Sequence, residues 1–252
     1  MRKILIFLFV FVLTVSFWAG SVTAKEEQEI PEIDGIYDVP DHPNLKVRVF
    51  VHGPKTDLKL TTACLDPNST ATDSATAWHL PLGNWNYILN TSSVPLSIGA
   101  ANLQILAGNA FTTWFQAINK KVTFNGTMGN TPIRASLDGQ NSITWGRTQG
   151  TALAVTYTWY YKSTGLVVET DTIFNNKFSW SWTPYQKNIC GIPNTYDAQD
   201  ILTHELGHWV GLDDEKTSDF VDNTMYGYGA KGEVKKDTLT TGDINGASGI
   251  YR

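Results

Sequence analysis

His204-Glu205-Leu206-Gly207-His208-Trp209-Val210-Gly211-Leu212-Asp213-Asp214 is where the chain declares its chemistry. On a helix, two histidines four positions apart project from the same face. Imidazoles at that spacing can hold one zinc ion, and Glu205, next to the first, can reach a water polarised by the ion. Gly211 lets the chain leave the helix in a sharp left-handed turn, which only glycine adopts without strain. That turn brings Asp214 back toward the metal as a third ligand. With 5 His in 252 residues, a chance H-E-x-x-H is expected roughly 0.003 times per chain, and adding the Gly and Asp lowers this to about 0.00002.

Each residue has a plainer reading. A lone helical histidine is usually a half-buried polar side chain, and a lone helical Glu a solvated carboxylate. The pairing of the histidines beside a glycine turn favours ligation, whereas Asp213 and Asp214 both also suit a surface turn.

Working outward, the helix is expected to start after Asn194 or Thr195, either a competent N-cap, and to end near Val210. A last helix is expected over 241–251, with Ile244, Ala247 and Ile250 on one face. Upstream, Leu103, Leu106, Ala110, Trp114 and Ile118 recur every three or four positions, predicting a helix over 97–118 whose apolar stripe packs on a sheet. Strands are expected near 85–89, 122–124, 142–145, 152–161 and 166–174, and a further half-buried one at 46–51. The expected fold class is α+β, with one helix inserted early among five strands.

At the amino end, Arg2 and Lys3 precede an apolar run from Ile4 to Trp18, and Val22-Thr23-Ala24 offers small residues for cleavage. Residues 1–24 therefore read as a signal peptide, and the protein as secreted and extracellular. Without them 17 Lys and Arg face 24 Asp and Glu. That acidic balance argues against nucleic acid as a partner. No later segment is long and apolar enough to span a bilayer. Residues 25 to about 45 carry Pro31, Pro40 and Pro43, and from 61 to 76 small polar residues take over, so 25–75 read as an N-terminal segment plus linker. Residues 76–252 read as one catalytic domain, expected to be a monomer. Two cysteines, Cys64 and Cys190, suit one disulfide in an oxidising compartment.

These motifs resemble the metzincin clan of zinc peptidases, and specifically a bacterial-type matrixin. The clan's pattern is H-E-x-x-H-x-x-G-x-x-H or D, followed by a methionine turn below the metal. Asn223-Thr224-Met225-Tyr226-Gly227-Tyr228 is similar to that turn, with Met225 as its floor, although Met225 also suits an ordinary core position. Leu239-Thr240-Thr241-Gly242-Asp243 resembles the start of the matrixin C-terminal helix, whose aspartate braces the turn. The resemblance covers about 78–252. It implies a twisted five-stranded mixed sheet with three helices and a zinc cleft between the sheet's edge strand and the active-site helix. It also implies an extended peptide substrate pairing with an edge like Thr151-Ala152-Leu153-Ala154-Val155.

Three departures stand out. The third ligand is Asp where matrixins usually have His. His42, His52 and His79 all precede the catalytic core, so the structural zinc of animal matrixins is not expected. The latency motif P-R-C-G-x-P-D has only a partial counterpart around Cys64, which lacks the Arg and Gly. Cys64 is left with two readings, a thiolate capping zinc in a precursor or a disulfide to Cys190.

The expected function is a secreted zinc endopeptidase with Glu205 as base and His204, His208 and Asp214 as ligands. Tyr226 or Tyr228 is a candidate oxyanion stabiliser and equally a packing residue. Calcium at carboxylates such as Asp171 has no dense ligand loop behind it. A gluzincin-type site would need Glu233 on a helix, which the glycines around it oppose. From another class, nine tryptophans would suit a secreted adhesion or binding module with a structural zinc. Such a site has no need of Glu205 or of an open coordination position.

Overall fold

The computed structural model describes residues 30–55, 68–184 and 190–252. Strands β1 (Gly35–Asp38), β2 (Leu45–Pro54) and β3 (Gly83–Asn90) precede helix α1 (Ala100–Ala117). Four longer strands follow: β4 (Val122–Gly129), β5 (Ser142–Gly146), β6 (Ala154–Tyr161) and β7 (Val167–Asn175). Two-residue strands β8 (Trp180–Ser181) and β9 (Tyr196–Asp197) lead into helix α2 (Ala198–Val210). The short β10 (Tyr228–Gly229) and helix α3 (Thr241–Ile250) complete the chain.

The main sheet runs β1-β2-β6-β7-β5-β3-β4, with β10 added against β2. Strands β3, β4, β5 and β7 pair in parallel, while β6 is antiparallel to β7 and β2 is antiparallel to β6. Among the described residues the fold is α+β with three α-helices and a mixed sheet, as expected, but the sheet has eight strands and not five. The five expected strands correspond to β3 through β7. The surplus comes from β1, β2 and β10, because residues 35–54 join the catalytic sheet.

Burial follows the pleat. On β2 the odd positions Val47 and Val49 enter an apolar cluster with Val155, Tyr157, Trp159 and Ile173 on one face. The even position Phe50 enters the larger cluster on the helix side, and His52 on the same face is 1% exposed. β6 is buried over nearly its whole length, since both faces are covered.

α1 buries Leu103, Leu106, Ala107, Ala110, Phe111, Trp114 and Ala117, the predicted stripe. Fully burying each large apolar side chain contributes roughly 1.5–3 kcal/mol. Trp114 also donates its indole N–H to the Thr203 carbonyl at 2.7 Å, which fixes α1 against α2. α2 is capped by Asp197, whose carboxylate accepts from the amides of Gln199 and Asp200, and not by Asn194 or Thr195. Residues 194 and 195 cannot cap because Tyr196 and Asp197 first pair in parallel with β8. α2 ends at Gly211, with φ 106°, as predicted. α3 starts with a capping box between Thr240 and Asp243.

Residues 68–76, read from sequence as the end of a linker, pack closely on the domain. The Thr76 amide donates to the Gly211 carbonyl at 2.8 Å, and Asp73 is 3% exposed. Among the described residues no helix is long and apolar enough to cross a membrane.

Candidate active site

His204 and His208 sit one turn apart on α2, both fully buried. The Nδ1 of His204 lies 2.7 Å from the Thr224 carbonyl, and that of His208 3.0 Å from the Leu212 carbonyl. These carbonyls fix the Nδ1–H tautomer and leave each Nε2 as a lone-pair donor facing inward. Burial pulls the His204 pKa down to about 3, so the ring is neutral at ordinary pH.

Asp214 meets both rings. Its Oδ1 lies 3.3 Å from His204 Nε2 and 3.5 Å from His208 Nε2. Two ligand atoms each about 2.1 Å from a common tetrahedral ion stand about 3.4 Å apart, so these separations suit a shared ion. Burial alone would raise the Asp214 carboxyl, but its contacts with the two histidines hold it well below the ordinary range.

The loop presenting Asp214 is pinned to the turn around Met225. The Glu215 amide donates to the Met225 carbonyl, and the Gly227 amide to the Glu215 carbonyl, both at 2.9 Å. Met225 is fully buried beneath α2. Asp243 holds the same turn from the other side, accepting from the Thr224 amide at 2.9 Å.

Glu205 is also fully buried. Its Oε2 accepts from the Thr156 hydroxyl at 2.6 Å, and Thr156 in turn meets the Thr172 hydroxyl at 2.7 Å. Its Oε1 makes no hydrogen bond among the described residues. Burial pushes the Glu205 carboxyl up to about 7. The same lack of hydrogen bonds holds for Nε2 of both histidines and both Asp214 oxygens. Buried polar atoms are rarely left bare, so so many converging on one point mark a cation site. Imidazole nitrogens and a carboxylate fit zinc.

The structure thus brings His204, Glu205, His208, Asp214 and Met225 together. Tyr226 and Tyr228 lie farther out, their rings 5.5 Å apart and Tyr226 beneath the Lys55 ammonium. Asp171 uses its oxygens on the Ser136 amide and on the amide and hydroxyl of Ser142, and offers nothing resembling a calcium loop. Glu233 accepts from the Ala230 amide and lies outside any helix. Cys64 lies outside the described residues.

Three residues at the site escaped sequence reasoning. Thr156 is one of several Thr in a buried strand, and nothing local distinguishes it. Lys236 is fully buried, its ammonium donating to the Tyr226 and Tyr228 carbonyls at 2.5 and 3.2 Å. His52 reaches the cluster from β2, and its ring centre lies 4.0 Å from that of His204. Among the described residues, His52, His204 and Asp214 form a group whose ligand atoms all lie within 4.8 Å of one another. The expected cleft is therefore altered: β6 is not a free edge, because β2 pairs along it from Leu45 to His52.

A family model described as matrixin matches residues 84–252. Among curated proteins none matches the chain.

Proposed function

Since the chain belongs to the matrixin family and is a zinc metalloendopeptidase acting on protein or peptide substrates, we propose that it works through one ion held by His204, His208 and Asp214, with Glu205 as base. The observation that carries this reading is the convergence of two imidazole nitrogens on one Asp214 oxygen at 3.3 and 3.5 Å, with Glu205 alongside.

When bound, zinc supplies Lewis acidity toward a peptide carbonyl and toward water. The rest falls to the chain's own side chains. Thr156 holds one Glu205 oxygen and leaves Oε1 aimed into the site to take a proton and return it to the leaving amine. A carboxyl lifted by burial to about 7 exchanges its proton readily near neutral pH. Met225 supports α2 from below. Tyr226 and Tyr228, on the segment that Lys236 ties down, are candidates to steady negative charge on the scissile carbonyl.

The first 24 residues support export, so the enzyme acts outside the cell as a monomer after the leader is removed. Cys190 is not a free thiol, which supports a disulfide to Cys64. A structural zinc in a binding module would leave the buried carboxylate of Glu205 without a purpose.

The test is prolonged incubation of the full chain with casein. Chelator-sensitive cleavage is expected in the parent and none in Glu205→Gln, with one zinc per chain in both. Cleavage by the Gln variant at the parent rate would sink the mechanism.

A further inference from the structure

We propose that His52 is a fourth protein ligand to the active-site ion and that β2, which carries it, lies in the substrate's own slot, so that the chain as folded is latent. The proposal rests on the peptidase reading above and adds a ligand and a regulatory state to it.

Backbone pairing is the first support. β2 runs antiparallel to β6 from Leu45 opposite Tyr161 to His52 opposite Ala154. Beyond that point the Leu153 amide donates to the His52 carbonyl at 2.8 Å. On its other side β2 runs parallel to β10, with Gly53 opposite Tyr228, and the Lys55 amide donates to the Gly229 carbonyl at 2.8 Å. β2 therefore bridges the sheet strand above the site and the segment beyond Met225. An extended peptide that pairs with residues 151–155 would need the hydrogen-bonding groups β2 already uses.

Side chains give the second support. Strand alternation sends Phe50 and His52 to the same face, toward α2. Phe50 stacks flat on His208, with ring centres 3.6 Å apart and planes 5° off parallel. His52 is 1% exposed, yet neither of its ring nitrogens makes a hydrogen bond among the described residues. Its Nδ1 lies 3.9 Å from Glu205 Oε1. Burying an imidazole without a partner is costly, and an ion shared with His204 and Asp214 would satisfy it. Glycine at 229 permits the approach, since a Cβ there would come within 2.9 Å of His52 Nε2. Four protein ligands make the closed coordination typical of structural zinc, whereas catalysis needs an open position. Withdrawing β2 opens the coordination position and the peptide slot together.

The experiment uses the full chain loaded with Co2+ and read by visible absorption, with acetohydroxamate as a small probe for an open position. The parent spectrum is expected not to move on adding the probe, and the His52→Ala spectrum to shift. In His52→Cys a sulfur-to-cobalt charge-transfer band is expected in the near ultraviolet, a signature that a merely structural role for residue 52 would not produce. Circular dichroism checks folding, and if the Ala variant does not fold, the Cys variant decides. A parent spectrum that shifts like that of the Ala variant, or a cobalt-loaded Cys variant without the band, overturns the proposal. Either result bears on the latent state alone: Glu205-dependent casein cleavage, which a latent chain shows only after the prolonged incubation that lets β2 withdraw, still tests the peptidase reading separately. A parent that binds no cobalt overturns both.

Discussion

Gly207 and Met225 are matched in shape: a Cβ added at 207 would lie 2.1 Å from the methionine sulfur and 3.0 Å from the Trp114 ring. The glycine inside the H-E-L-G-H motif is therefore a packing requirement where helix, turn and α1 meet. Gly207→Ala is expected to lower stability by about 1–3 kcal/mol through overpacking, although alanine is the better helix former. Thermal denaturation checks it, and a variant as stable as the parent would show that the methionine simply moves aside.

Thr156 positions Glu205 from a neighbouring strand. Thr156→Val keeps the shape and removes the donor, so the rate of casein cleavage relative to the parent is expected to fall about 10–100-fold with zinc content unchanged. An unaltered rate would mean that the hydroxyl does not orient the base.

Asp73 binds the Asn223 amide at 2.5 Å and faces Asp243. Burial and the neighbouring carboxylate push it up from its ordinary 3.8 to about 10. The folded chain thus holds this proton more tightly than the unfolded chain does. The stabilisation is complete below about pH 4 and is lost as pH rises through about 10. Stability should decline across that window, and Asp73→Asn should flatten the decline in urea denaturation followed against pH. Parallel declines in parent and variant would contradict the assignment.

Lys236 is a buried cation facing Glu233 and Asp200, and it carries the carbonyls of Tyr226 and Tyr228. Lys236→Met is expected to cost roughly 3–5 kcal/mol, because the buried carbonyls of Tyr226 and Tyr228 lose their donor and the neighbouring acidic side chains lose a buried cation. Chemical denaturation measures this, and a loss below about 1 kcal/mol would show that the ammonium does not hold this part of the fold together.

What the sequence reveals divides along the range of the interactions involved. α2, its glycine stop and the Asp214 return are encoded within eleven consecutive residues, so spacing alone exposes them. α1 is equally plain, since its stripe repeats with the helical period. β2 is half legible: alternation at 46–51 announces a strand, but its partner β6 lies about a hundred residues later, and pairing across that distance leaves no local pattern. His52 was missed for that reason, being set aside with His42 and His79 as lying before the core. Lys236 was hidden because a lysine among glycines and charges reads as solvated, while here it is buried under the segment it supports.

Every residue of β2 leaves the ribosome before any residue of α2. The strand is therefore already available when its partner β6 and then α2 emerge, so it can pair across the cleft while the site itself assembles. A newly made molecule would then have no interval in which it could digest its siblings or the cell that built it.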